Sequence, residues 1–181
     1  MYKRRLESGA DKKNYWYLIG LADPGQGMGS SFFFSKQDLK AAVLEDSLRS
    51  IDVWLEHGDA TKEVIGTVVY AWVDDTDGLY VVIEFDNSQR SQAVKAWIKS
   101  GLYTGLSLGY KSTFDKNYSV KDKKIYEVSI VHKPFHNPCR IKQIIDADCD
   151  VQAQMKLARE KQTSARKGSH VQMFQNLFQY L

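Results

Sequence analysis

Two apolar runs, Val64 to Val73 and Leu79 to Phe85, stand on either side of Asp74-Asp75-Thr76-Asp77-Gly78. Both are rich in β-branched and aromatic residues, and an Asp-Gly pair between such runs is a strong short-range signal for a β-hairpin. A lone hairpin cannot bury its faces in water, so the rest of the chain has to build a sheet around it. Further strands are predicted at Tyr15 to Leu21, Ile51 to Leu55 (running into His57), Gly105 to Phe114 and Ile125 to His132, with a short one at Ile141 to Ile145. Two helices interrupt them. One is capped by Ser35 with Asp38 three residues on, and continues through Leu39, Ala42 and Val43 as far as Asp46. The other, Asn87 to Ser100, carries the stripe Ala93, Val94, Trp97 and Ile98 and ends at Gly101. Strands do not alternate with helices, so the fold class is mostly β with surrounding helices (α+β), a barrel or strongly curved sheet.

The connections read as loops: Ala22 to Ser31, with three glycines and a proline, and the lysine-rich Asp115 to Lys124, expected as an exposed hairpin link. The 181 residues are 43% hydrophobic, enough for one sizeable core. The net charge of +3 is unevenly spread. Residues 151–181 hold five basic side chains against one acidic, leaving residues 1–150 at −1. The expected division is a β-barrel body over 1–150 and a basic helical tail over 151–181, in the same domain or serving a dimer or scaffold contact. Val171, Phe174, Leu177, Phe178 and Leu181 recur at helical spacing, so 169–181 reads as an amphipathic helix. No apolar run approaches the ~20 residues that span a bilayer, so no membrane is expected. Nor does an apolar signal core follow the basic start, and secretion is not expected. A modest net charge makes nucleic acid an unexpected partner. Cys139 and Cys149 make neither a disulfide framework nor a zinc site, which favours a reducing compartment and no metal.

Chemistry concentrates in Thr104-Gly105-Leu106-Ser107-Leu108-Gly109-Tyr110. On a strand Leu106 and Leu108 share the core face, and Ser107 lies opposite between two glycines that leave room for a peptide backbone. The plainer reading is a bulge or a crowded packing site with serine as filler. A nucleophilic serine needs a base. Of His57, His132, His136 and His170, His57 stands at a strand end before a glycine turn, where scaffolds display reactive groups. It is equally readable as a half-buried histidine bonded to backbone. A base histidine needs a partner on its far nitrogen. Glu127 and His132 compete for that place, from opposite faces of one strand. Glu127 is the sharper candidate, because a carboxylate in an apolar strand is costly without a partner, although an edge-strand charge facing water fits too.

Taken in order, these segments resemble the capsid maturation proteases, the herpesvirus assemblins and tailed-phage prohead proteases. The likeness runs from the first strand, loop and helix through the histidine-bearing strand end, Ile65 to Val68 and Asp77-Gly78-Leu79-Tyr80. It continues through the second helix to Gly105-Leu106-Ser107-Leu108-Gly109 and Glu127-Val128-Ser129-Ile130-Val131, covering about residues 15–145. It implies a serine endopeptidase on a herpesvirus-protease-like β-barrel ringed by helices, needing no cofactor. Its substrate would be the scaffold protein of an immature capsid, and it would also cleave itself. By motif position Ser107 is the nucleophile and His57 the general base. Glu127 orients His57 where herpesvirus enzymes carry a second histidine and phage relatives an acidic residue; His132 is the alternative. The resemblance further implies a homodimer that meets the procapsid and its major capsid protein. The setting is the procapsid interior, in the host cytoplasm for a phage or the host nucleus for a herpesvirus. The paired arginines that follow this strand in herpesvirus enzymes are missing, and Lys133 to Pro138 takes the place of that oxyanion loop.

Three rivals stay open on the sequence. One is a catalytically silent scaffold or capsid-assembly protein of the same fold, its basic tail gripping an acidic partner or nucleic acid. Another is a carbohydrate- or peptide-binding barrel with Trp54, Trp72 and Tyr80 along a groove. The third is a hydrolase of small esters.

Overall fold

The first strand, β1 (Trp16–Asp23), is buried along its whole length. Trp16 and Leu18 face one apolar cluster and Tyr17 and Ile19 another, so both faces of the sheet are covered here. The computed structural model describes residues 15–26, 34–58, 63–114, 116–117 and 120–146. Expectations for the tail after 146, with Cys149 and His170, and for most of the glycine-rich loop lie outside the described residues.

Helix α1 (Lys36–Leu44) begins in a complete capping box. The Ser35 hydroxyl accepts from the Asp38 amide, and the Asp38 carboxylate accepts from the Ser35 amide. It stops two residues short of the predicted end, because Asp46 turns to a left-handed φ of 53°. Then come β2 (Asp52–Leu55), β3 (Gly66–Asp74), β4 (Gly78–Phe85) and α2 (Gln89–Lys99). The β3–β4 hairpin turns where the Asp-Gly pair predicts. Asp74 Oδ1 accepts from the Thr76 and Asp77 amides, and Gly78 takes φ 119°. Helix α2 is capped by Ser88 and followed by Gly101 at φ 79°, and it buries Val94 and Ile98 in the main core.

The last strands are β5 (Gly105–Phe114), β6 (Val120–Val131) and β7 (Ile141–Asp146). β6 starts earlier than expected. Lys123 and Lys124 pair with Ser112 and Lys111 rather than forming a loop, since the far end of the ribbon is solvated and suits lysine. Ala22 and Asp23 similarly belong to β1, where the register to β4 shifts between Leu21 and Asp23.

All seven strands join one sheet in the order β5-β6-β2-β3-β4-β1-β7. Only β2 and β6 run parallel among the described strands. The sheet curls until its ends meet. The Ile141 amide, opening β7, donates to the Thr104 carbonyl just before β5 (3.0 Å), and Leu106 packs directly on Gly20 of β1. Inside lie Leu18, Val53, Leu79, Val81, Ile83, Phe85, Leu106, Val128 and Ile130. This is the curved, mostly β architecture with two flanking helices that the strand pattern predicts. No helix among the described residues is long and apolar enough to cross a membrane.

Candidate active site

β6 lies between β5 and β2, so side chains on one of its faces can reach elements from both neighbours. The antiparallel register sets Ser107 opposite Ser129 and Gly109 opposite Glu127. The parallel register sets Trp54 beside Ser129, three residues before His57. His57 therefore follows the end of β2 on the flank of β6 away from Ser107.

The turn after β2 brings the imidazole back. Glu56, His57 and Gly58 all take left-handed φ angles of 45°, 58° and 70°. A non-glycine residue in that region costs about 1–3 kcal/mol, so the surroundings have to hold it. They do so through the Glu56 amide donating to Ile130 O (3.1 Å), the His57 amide to Ser129 Oγ (3.2 Å) and the Gly58 amide to Leu55 O (2.9 Å). A side chain at Gly58 would also strike the Trp54 ring.

As a result His57 Nδ1 lies 2.6 Å from Glu127 Oε1. The same oxygen accepts from Ser129 Oγ at 2.9 Å. Glu127 is 1% exposed, in a strand paired on both sides, and is neither at an edge nor facing water. A buried carboxylate is costly unless it is paired and hydrogen-bonded, and these two donors supply that. A carboxylate only accepts, so Glu127 favours the neutral tautomer with the proton on Nδ1 and the lone pair on Nε2.

The glycines beside Ser107 serve close packing, the plainer reading of the sequence, and the register shifts just after Gly109. A Cβ on Gly109 would lie 2.6 Å from Glu127 Cδ, and one on Gly105 would meet the Pro134 ring. The space they leave is filled from within: Glu127 crosses Gly109 on its way to His57. Leu106 is fully buried, whereas Leu108 is only partly so.

Ser107 and His57 line one cavity of about 440 Å³. Ser107 Oγ and His57 Nε2 carry no hydrogen bond among the described residues. Such contacts are often long before substrate binds. His132 is tied elsewhere: its amide and its Nδ1 both contact Glu56 Oε1, at 2.8 and 2.5 Å, and its ring lies against Tyr103. His136 lines the cavity with Phe135, both from the segment after β6. Trp72 stacks on Tyr80 and is buried in the second cluster, while Trp54 meets Gly58, so the three aromatics do not form one groove. No cluster of three or more His, Cys, Asp or Glu is arranged for a metal among the described residues.

Sequence reasoning missed three contributors. Ser129 braces both Glu127 and the His57 backbone. Cys139 is buried in the cavity wall, where burial and then Asp23 push its thiol up to about 12. Asp23 is also in the wall, 6% exposed, and burial raises its carboxyl above the usual range while the Gly25 amide partly offsets this. The signal for Asp23 was available: a carboxylate closing the apolar run Trp16 to Ala22 just before Pro24-Gly25.

The family model for the caudovirus prohead serine proteases matches residues 30–154. The fold is similar to that of the KSHV protease, solved in complex with a hexapeptide phosphonate inhibitor. The TM-score is 0.52 at 12% identity, over 89% of this chain and 75% of that one. No curated protein matches in sequence.

Proposed function

Starting from a chain that belongs to the caudovirus prohead serine proteases, we propose that it is an endopeptidase with Ser107 as nucleophile, His57 as general base and Glu127 as the group that orients His57. Family membership makes it a capsid maturation protease, acting in the procapsid interior of a phage-infected cell. Its substrate on this reading is the internal scaffold protein, with self-cleavage at a site of the same kind. The observation that carries the reading is the 2.6 Å His57–Glu127 contact on an imidazole that shares its cavity with Ser107.

The steps follow from that arrangement. His57 Nε2 takes the Ser107 proton as Oγ attacks the scissile carbonyl, and the imidazolium that forms lies against the Glu127 carboxylate. The imidazolium then protonates the leaving amine, and an acyl-enzyme remains. Water gives a proton to Nε2 as it attacks the ester, and that proton passes to Ser107 Oγ as the acid product leaves. The 133–138 segment, which brings Phe135 and His136 to the cavity, is the candidate oxyanion loop. A homodimer that contacts the major capsid protein completes the proposal, with residues 151–181 as the subunit contact.

The test is labelling of the full chain with a fluorophosphonate, followed by peptide mapping and a digest of the cognate scaffold read by mass spectrometry. Covalent adduct on Ser107 and discrete scaffold fragments are expected. An unlabelled Ser107 with intact scaffold would favour a catalytically silent assembly protein. Light scattering on a chain truncated at Asp150 tests the dimer, and an unchanged mass per particle argues against the tail as its contact.

A further inference from the structure

The wall of the Ser107 cavity is largely apolar, and the one carboxylate among its described lining residues, Asp23, is not used by the proposed chemistry. Asp23 ends β1 just after the register shift and lines the cavity, and its carboxylate is near enough to act through space on Cys139 and His136 in the same wall. It is 6% exposed. Its carboxylate has one hydrogen bond among the described residues, to Oδ1 from the Gly25 amide at 2.7 Å. The His136 ring and the Lys123 ammonium are near enough to act on it through space. Burial outweighs both, so the charged carboxylate is under-compensated in the free protein.

A carboxylate left in that condition inside an apolar cavity gains most from a cation delivered with its own apolar stem. Lysine and arginine side chains have that construction. Phe34, Leu106, Leu108 and Tyr110 offer the wall for the stem, and a cavity of about 440 Å³ is large enough for such a side chain. Because Ser107 and His57 open into the same cavity, the residue held there adjoins the bond being cut.

We propose that Asp23 is the specificity-determining residue of this site, receiving the ammonium or guanidinium of a lysine or arginine next to the scissile bond. The inference rests on the reading of Ser107 as the nucleophile. Asp23 binds substrate and takes no part in proton transfer.

The experiment uses the full chain against an unbiased peptide library, with cut sites read by mass spectrometry. A matched peptide pair follows, differing only by lysine against norleucine at the preferred position. Lysine or arginine is expected within one residue of the cut, with a lysine-to-norleucine ratio in kcat/KM of about 10². In Asp23→Asn, which keeps the acceptor for the Gly25 amide, that ratio is expected to fall below about 10. Cut sites without a basic residue overturn the proposal, and so does an unchanged ratio in Asp23→Asn. The library result stands even if the variant does not fold. Fluorophosphonate labelling of wild type separates the two failures: a labelled Ser107 without basic preference sinks the specificity alone, and an unlabelled, inactive protein sinks both.

Discussion

His57 and Glu127 are seventy residues apart in the chain and 2.6 Å apart in space, joined through Nδ1 and Oε1. Three features produce that contact. The parallel β2–β6 pairing brings the end of β2 alongside Ser129. Left-handed Glu56 and His57 then reverse the chain. Gly109, with no side chain of its own, lets Glu127 lie across β5. The carboxylate is 2% exposed in its side chain and the imidazole 47%, so the pair has a buried anchor and an end open to solvent. That division suits a base that has to meet a substrate while its orientation is fixed from behind.

Glu127→Gln should therefore lower kcat by about 10³–10⁴, since an amide can present a donor to Nδ1 and favour the wrong tautomer. His132→Ala should cost less than about tenfold, because that ring contacts Glu56 and Tyr103 rather than His57. Steady-state cleavage of a scaffold-derived peptide measures both. A larger loss in the His132 variant would make that histidine the orienting group.

Ser107→Ala removes a hydroxyl that has no hydrogen bond among the described residues. Its thermal midpoint should stay within a degree or two of wild type, roughly what a mutation away from any key contact does. Scaffold cleavage and self-cleavage should fall by on the order of 10⁴–10⁶. Calorimetry beside a gel time course checks the two halves, and persistent cleavage would remove Ser107 from the mechanism.

Gly109→Ala tests the route of Glu127 across β5. The added Cβ would sit 2.6 Å from Glu127 Cδ, closer than atoms tolerate, and the glutamate has to shift. Overpacking of this kind costs about 1–3 kcal/mol, and the displaced carboxylate should release His57. Urea unfolding should show the loss of stability, and fluorophosphonate labelling of Ser107 should slow in step. Labelling at the wild-type rate would mean that Glu127 can reach His57 another way.

Much of this site is legible in the sequence because alternation along a strand assigns faces. Ser107 and Gly109 share a face of β5, Glu127 and Ser129 share one of β6, and the register joins the two. The Asp-Gly turn and the Ser35 cap were equally local, and so equally readable. What could not be read depends on contacts between distant segments. Parallel pairing of β2 with β6 leaves no local mark, and neither does the left-handed turn at Glu56 and His57, where no glycine announces it until Gly58. A crowded packing site at the glycines around Ser107 was readable, but not what crowds it, since the side chains that fill the space come from β6 and the segment beyond. Asp23 was read as part of a loop because Pro24 and Gly25 follow it, although β1 runs on to include it.

Asp23 also makes stability depend on pH in a definite direction. Burial raises its carboxyl in the folded state above the value of an unfolded chain, where the ordinary figure is 3.8. The folded protein then binds the proton more tightly, so ionising Asp23 weakens the fold as pH rises through the interval between the two values. Above the raised value the penalty is complete, and below 3.8 it is gone. Asp23→Asn carries no such charge and keeps an acceptor for the Gly25 amide. The variant should therefore have the higher Tm at pH 7. The advantage should shrink steadily as pH falls towards 4. Thermal melts of both proteins from pH 4 to pH 8 measure the difference. A difference that stays constant, or grows on acidification, would mean that Asp23 is compensated in the fold and is not held there as an under-paired charge.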